Sequence, residues 1–451
     1  MTRVLHYADL ESAYDDPERI GRLAGLVRSR RDGETIVVGS GDNTGPGVLA
    51  LKTNGRQSLD FFRAVDPDAD TFGNHEFDYE PETTRGLVRE SPQTWVCANA
   101  FDGDEPFAVE EGVVPWTVVG TTSSQVGVFG VASPDTGDIS PPAASLSFTD
   151  PIDAARDAVA ALRERDVDRV LGLSHCGDDD DLTAAIEADA ICGGHYHEPR
   201  EDIVADTLVV RPGASGEHLV EVDLDTDRPT ATWHTVTDGP LDEGVADRLR
   251  ERMRAVGLDE VVTTLDMPID RRPMLGETAV GNFIADAFRH AGETDVGLVH
   301  AGSVRDTNEP FVGEVTVGDL VSLLPFDNEL VTLELSGREL RETARLASGS
   351  HLDLPDERWW PGHFSNVTIV WDHPSRELVD GTVGGEPIDD ERTYTLTTFD
   401  YNITYDPLFP RLTDERVLET IGSQHDAMIA YAREFGIPTE TDGRLIRHGL
   451  E

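Results

Sequence analysis

The chain has 451 residues, with 87 Asp and Glu against 37 Lys and Arg and a formal charge of −50. Hydrophobic residues make up 38%, and 42 Gly and 26 Pro are spread along the chain, a globular composition long enough for two or three domains. The charge excludes nucleic-acid binding by counterion release, which needs clustered Lys and Arg.

At the start, MTRVLHYADL lacks the basic segment and apolar run of a signal peptide, and no stretch of about 18 apolar residues follows anywhere. The expectation is a soluble, cytoplasmic protein with no membrane partner. Short β-branched runs then alternate with helix-length amphipathic segments, the pattern of an α/β domain. Strands are expected at 4–7 (VLHY), 35–39 (TIVVG), 69–72 (ADTF), 94–98 (TWVCA), 125–131 (QVGVFGV), 168–174 (DRVLGLS), 188–192 (ADAIC) and 207–211 (TLVVR). Helices fit at 17–31, with Pro17 in the first turn, and at 151–165. HLVEVDL and TATWHTV, between 217 and 236, read as strands closing a sheet edge. Cys97, Cys176 and Cys192 are too few for a disulfide framework and read as buried thiols.

A polar turn at 237–244 leads into an arginine-rich helix near 244–256, taken as part of a connector over 237–265 between a first domain, 1–236, and a second, 266–451. The second domain is expected to hold a helix near 277–291, strands at 295–300 and 329–335, and a helix over 317–324. A further helix starts at Ser336 with Glu339 at capping-box spacing, and the strands NVTIVW and TYTLTTF follow.

Chemistry shows in where polar residues fall. Asp9 follows VLHY, Asp42 follows TIVVGSG, Asn74 and His75 follow ADTFG, His175 follows DRVLGLS, and His195 and His197 follow ADAICGG. Five strand ends each deliver a metal-capable side chain, and in α/β sheets ligands bind where strands end. Oxygen and imidazole donors without thiolate suit Zn, Mn or Fe, and a shared carboxylate can bridge two ions about 3.5–4 Å apart. Gly41, Gly73 and Gly193-Gly194 precede these residues and let the backbone turn sharply.

With these motifs the chain resembles the metallophosphoesterases, and more closely the 5′-nucleotidases of the UDP-sugar hydrolase and ecto-5′-nucleotidase type. The matching residues are Asp9, Gly41-Asp42-Asn43, Gly73-Asn74-His75-Glu76-Phe77-Asp78, His175 and Gly194-His195-Tyr196-His197. The resemblance implies a four-layer αββα catalytic domain followed by an α/β 5′-nucleotidase C-terminal domain that binds substrate. It implies two divalent ions, with Asp42 bridging, Asp9 and His197 on one, and Asn74, His175 and His195 on the other. His75, oriented by Asp78, is implied to contact the phosphoryl group and assist the leaving oxygen. One departure stands out: the family's Asp-x-His reads Asp9-Leu10-Glu11. Either Glu11 replaces the histidine as a carboxylate ligand, hardening that site toward Mn or Mg, or it sits outside the shell.

In the second half, Glu277 to Asn282 and His300-Ala301-Gly302-Ser303-Val304-Arg305-Asp306 resemble segments of the nucleotidase C-terminal domain, as does Leu324-Pro325-Phe326-Asp327-Asn328. Arg305 is implied to contact the substrate phosphate, and Phe326 and Tyr401 to stack on the base. Interdomain packing is the rival role for both aromatics. Arg271-Arg272 reads as a further phosphate contact or as solvated surface. The family's Gly-Gly-Asp-Gly after the second aromatic is replaced by Tyr405-Asp406-Pro407-Leu408.

The reading is a dimetal phosphohydrolase of nucleotides or related small phosphate esters, with oligomeric state open. A 2′,3′-cyclic phosphodiesterase, a UDP-sugar hydrolase and a thiosulfohydrolase-like enzyme share the scaffold, and a metal- or nucleotide-binding protein without turnover is the rival from another class. The surface reads as adapted to high salt. Lys52 is the one lysine, and molar salt shrinks the Debye length to roughly 3 Å, removing carboxylate self-repulsion. Near-UV CD and activity are expected to be lost together below a few tenths molar salt. A thermal midpoint independent of KCl from about 0.1 to 3 M would overturn that reading.

Overall fold

A computed structural model describes residues 2–450 apart from 227, 273, 306–309, 353–357 and 405–407. Asp306 and Tyr405-Asp406-Pro407 thus lie outside the described residues. The chain forms two units, Met1–Val256 and Gly257–Glu451.

In the first unit, six strands stand in the order Thr230–Thr235, His218–Asp223, Arg3–Tyr7, Thr35–Gly39, Ala69–Asp70, Thr94–Trp95. A second six-stranded sheet runs Arg200–Val204, Thr207–Arg211, Ala190–Gly193, Arg169–His175, Gln125–Ala132, Trp116–Gly120. In the first sheet the four strands from Arg3–Tyr7 to Thr94–Trp95 run parallel and the two on the other side pair antiparallel; in the second the four inner strands are parallel and both edges antiparallel. The alternation of side chains along each strand decides the layering. Val126, Val128, Leu171 and Leu173 share a core with Val4, Ile36 and Val38 of the other sheet. Their neighbours Phe129, Val131, Val170 and Ile191 pack instead on Ala155, Ala158, Val159 and Leu162 of helix Pro151–Arg163. On the first sheet's far face, Tyr7 meets Phe61 of helix Ser58–Val65 edge-on at 5.2 Å. Two sheets are therefore packed face to face between helices, the four layers expected. Strands buried on both faces give continuous apolar runs, which is why TIVVG was readable; burying each large side chain there contributes about 1.5–3 kcal/mol.

Helix Pro17–Arg30 starts where its proline and the preceding aspartate dictate, Asp16 accepting from Glu18 N and Arg19 N at 3.1 and 3.2 Å. The strands expected at 69–72 and 94–98 are shorter, Ala69–Asp70 and Thr94–Trp95. After Asp70 the backbone leaves the ladder to serve the site. The expected connector is divided. Helix Glu243–Ala255 buries Val245, Ala246 and Leu249 and packs on Pro17–Arg30 within the first unit, whereas residues from Gly257 onward belong to the second. Cys97 and Cys192 are buried as expected, but Cys176, just past a strand end, is only half-buried.

The second unit centres on a sheet in the order Gly362–Ser365, Val296–His300, Thr393–Phe399, Glu329–Ser336, Val417–Ser423. Helices Ala279–Gly292 and Gln424–Phe435 cover the face carrying Val299, Leu330 and Phe399. Helix Gly337–Leu346 and strand Val367–Asp372 cover the face carrying Leu298, Leu333 and Leu396. The capping box of Ser336 and Glu339 is present. Among the described residues, no helix is long and apolar enough to cross a membrane.

Candidate metal centre

Three neighbouring strands of the first sheet, Arg3–Tyr7, Thr35–Gly39 and Ala69–Asp70, release Asp9, Asp42 and Asn74-His75 at their carboxyl ends. In the second sheet Arg169–His175 ends on His175, and the adjacent Ala190–Gly193 leads to His195 and His197. Donor atoms of Asp42, His175 and His195 lie within 4.8 Å of one another, as do those of Asp9, Glu11 and His197, and those of Glu11, Asp42 and His75. Asp42 and Glu11 each belong to two groups, so the donors form one continuous cluster. Asn74 joins it with Oδ1 3.0 Å from His195 Nδ1.

The cluster has the spacing of ligands. His175 Nε2 stands 3.0 Å from Asp42 Oδ2, and His197 Nε2 2.9 Å from Glu11 Oε1, yet His175 Nε2 and Glu11 Oε1 lack hydrogen-bond geometry. Two donors about 2.1 Å from one ion and at right angles to each other stand about 3 Å apart. Asp9 is fully buried; its Oδ1 accepts from His195 N at 2.9 Å, but Oδ2 has no hydrogen-bond partner among the described residues. A bare buried carboxylate oxygen is costly unless a cation meets it.

Electrostatics agree. Burial and the like charges of Asp42 and Glu11 push Asp9 up to about 8 against the pull of His175. Burial disfavours a charged His175, but Asp42 lifts it to about 10; burial and the neighbouring His175 take His195 down to about 4. In spite of burial, His175 and His75 hold Asp42 well below the usual carboxylate range. The carboxylates that raise Asp9 and His175 supply negative charge that favours a divalent cation as well, and ligation would displace the protons. His175 Nδ1 lies 2.7 Å from the Ser40 carbonyl and donates to it, which fixes the tautomer with Nε2 facing Asp42.

Backbone strain concentrates here. Asp9, Glu11, Asp42 and His195 have φ of 50°, 45°, 53° and 74°, left-handed conformations costing roughly 1–2 kcal/mol apiece for residues with a Cβ. Only Gly41, at φ 87°, answers the expectation that glycines relieve sharp turns. Gly73 serves a different end: a Cβ there would lie 2.6 Å from His175 Nε2 and collide with Asp42 Oδ1, so its value is space for the ligands.

His75 and Asp78 are paired through Nδ1 and Oδ2 at 2.8 Å, and the His75 main-chain N donates to Asp42 Oδ1 at 2.8 Å. Burial works against the imidazolium, yet Asp42 and Asp78 raise it to about 10. Two buried acids that sequence reasoning missed hold these loops. Glu76 accepts from Gly73 N at 2.6 Å, Asp42 N at 2.9 Å and Asn43 N at 2.8 Å, tying two strand-end loops together. Asp70 accepts from Tyr7 Oη at 3.1 Å, Asn43 Nδ2 at 3.1 Å and Thr71 N at 3.0 Å. The one signal for Asp70 was a carboxylate inside an apolar strand run; Glu76 had none beyond its place beside His75.

In the second unit, the Arg305 guanidinium lies 4.6 Å from the centre of the half-buried Phe326 ring. Gln424 Nε2 donates to Phe326 O at 2.7 Å and fixes that loop. Tyr401 is 42% exposed, its ring 6.4 Å from that of Phe399. Arg271 is not solvated surface: it is buried, 4.5 Å from the Phe311 ring centre, and donates to Ser322 Oγ at 2.8 Å. Arg272 is exposed and paired with Asp270.

Residues 2–199 match the calcineurin-like phosphoesterase family, and residues 261–413 match the 5′-nucleotidase C-terminal domain. The chain thus carries a calcineurin-like phosphoesterase domain followed by a 5′-nucleotidase C-terminal domain. This phosphoesterase is 25% identical over 397 residues to the trifunctional nucleotide phosphoesterase protein YfkN of Bacillus subtilis (strain 168), covering 75% of the chain but 27% of that longer protein. It is 24% identical over 510 residues to an apyrase of Tabanus yao, covering 95% of the chain and 90% of the apyrase. In fold it is similar to a 5′-nucleotidase precursor from Thermus thermophilus, with a TM-score of 0.72 at 22% identity over 100% of both chains. The family uses a dimetal centre, and the donor groups of Asp42 and Glu11 lie in its phosphoesterase region.

Proposed function

We propose that the chain hydrolyses nucleotide phosphate esters as a 5′-nucleotidase-like dimetal phosphohydrolase. The observation that carries this reading is the donor cluster through Asp42 and Glu11 with the His75–Asp78 pair against it. Asp9, Glu11 and His197 would hold one ion, Asn74, His175 and His195 the other, and Asp42 would be shared. Two divalent ions, from among manganese, zinc and iron, supply charge neutralisation and Lewis-acid activation for attack of water on phosphorus. His75, kept cationic by Asp42 and Asp78, donates to the phosphoryl oxygens or the departing ester oxygen as negative charge grows there. Asp78 orients that imidazole through Nδ1. Glu76 keeps the loops carrying Asp42 and His75 in register by satisfying three main-chain N–H groups.

Nucleotides are the favoured substrates because of Arg305 and Phe326 in the second unit and because the similar proteins named above include an apyrase and a nucleotide phosphoesterase. A guanidinium beside an aromatic ring offers both a phosphate contact and a stacking platform. The test is a phosphate-release screen over nucleoside mono-, di- and cyclic phosphates in molar KCl, with Mn, Zn, Mg and Co each added to metal-stripped protein. Release from a nucleotide supports the reading; release from none with any metal overturns it.

Base recognition is tested separately. Stacking on an aromatic is worth roughly 1–3 kcal/mol per base, so Phe326→Ala is expected to raise KM for a nucleoside monophosphate by about 5- to 150-fold. Hydrolysis of p-nitrophenyl phosphate, which lacks a base, should hardly change. Equal loss on both substrates would assign Phe326 to packing, and no loss on either would remove it from base recognition.

A further inference from the structure

We propose that Glu11 makes the two halves of the metal centre chemically unequal, so that the Asp9–Glu11–His197 half prefers a hard ion such as Mn2+ and the His175–His195 half a zinc-like ion. The inference rests on the dimetal reading above and adds which ion each half prefers.

The donor inventory carries it. With Asp42 common to both, one half offers two carboxylates of its own, Asp9 and Glu11, and one imidazole, His197; the other offers two imidazoles, His175 and His195, and the neutral amide oxygen of Asn74. Carboxylate and water ligands suit Mg2+ and Mn2+, whereas imidazole suits Zn2+ and iron. In a chain with 87 acidic residues a carboxylate near a site says little by itself. Glu11 differs from the surface acids in being 8% exposed, with Oε1 2.9 Å from His197 Nε2.

Its placement is also fixed by main chain. Glu11 N donates to Asp42 O at 3.2 Å and Asp9 N to Gly41 O at 3.0 Å, so the Asp9–Glu11 segment is stitched to the loop that carries the shared carboxylate. With the left-handed φ of 45° at Glu11, this aims a charged oxygen, not a neutral nitrogen, into the half that already holds Asp9. The unpartnered Asp9 Oδ2 beside it adds a second hard donor. His197 is the more exposed imidazole of the cluster, its side chain 56% accessible against 0% for His175, leaving its half open to water, which Mn2+ and Mg2+ retain among their ligands.

The test is metal binding, not turnover. Metal-stripped protein in molar KCl receives one equivalent of Zn2+, is titrated with Mn2+ while the electron paramagnetic resonance of free Mn2+ is followed, and in a parallel series is titrated with a second equivalent of Zn2+. The parent should bind one Mn2+ beside the Zn2+. Glu11→His should weaken that Mn2+ by more than the roughly tenfold that losing even an outer-shell partner of a ligand costs, and tighten the second Zn2+. Glu11→Gln, which keeps the shape and removes the charge, should weaken Mn2+ more than Zn2+; if Glu11→His loses its near-UV CD signal, this variant decides alone. Mn2+ and second-site Zn2+ constants that move by the same factor, or not at all, overturn the assignment to Glu11 while leaving a dimetal centre standing. A parent that binds fewer than two ions in all overturns the dimetal reading as well.

Discussion

Asp42→Asn is expected to abolish turnover, with kcat falling by at least about 10³-fold, beyond what loss of a single transition-state donor usually costs. Asp42 Oδ1 accepts from His75 N, while Oδ2 faces His175 Nε2 at 3.0 Å. Its carboxylate is common to the group with His175 and His195 and the group with Glu11 and His75. One negative charge shared between two cations offsets their mutual repulsion, and an amide removes it. Geometry worsens too, since the amide NH2 must point either at the His75 N–H or at a cation. Metal analysis should show loss of at least one ion per chain. Hydrolysis of bis-p-nitrophenyl phosphate at the parent rate would show that the shared-carboxylate assignment is wrong.

What the sequence made legible follows from which forces leave a local mark. Strands such as Thr35–Gly39 and Arg169–His175 lie between two apolar layers, so burial prints them as continuous β-branched runs. The polar residue ending each run therefore stood out. Where a strand is cut short by side chains that take over its hydrogen bonding, no local mark remains. Ala69–Asp70 is two residues long because the chain then turns into the loop tied by Asp70 and Glu76. Glu76 answers main-chain donors more than thirty residues away in the Asp42 loop, a partnership with no periodicity to betray it. The helix Glu243–Ala255 was readable as a helix, but its membership of the first unit depends on packing against Pro17–Arg30, which only folding reveals. Glu11 was ambiguous for the same reason: whether a carboxylate ligates or faces water depends on burial, and the burial comes from loops remote in sequence.

His75→Asn separates transition-state chemistry from metal binding. The His75 main-chain N–H bond to Asp42 Oδ1 survives the substitution, so the shared carboxylate keeps its orientation. What is lost is a cationic imidazole that Asp78 holds through Nδ1 at 2.8 Å and that Asp42 and Asp78 keep protonated against the effect of burial. Charge builds on the phosphoryl oxygens and the leaving oxygen only as the bond breaks, so the interaction is strongest in the transition state and its loss should appear in kcat. A fall on the order of 10²-fold or more is expected, the range of general-acid assistance. KM should change little and two ions should remain bound. A donor atom of His75 also lies within 4.8 Å of donors on Glu11 and Asp42, so a ligand role makes a distinct prediction. If His75→Asn loses metal to the same extent as Asp42→Asn, His75 is a ligand; if kcat is unchanged with both ions present, the imidazole takes no part in the reaction. The choice of leaving group sharpens the measurement. A nitrophenolate departs without protonation, whereas a nucleoside alkoxide needs a proton, so a general acid at His75 requires a larger loss on nucleoside monophosphates than on p-nitrophenyl phosphate. Equal losses on the two would assign His75 to charge stabilisation of the phosphoryl oxygens alone.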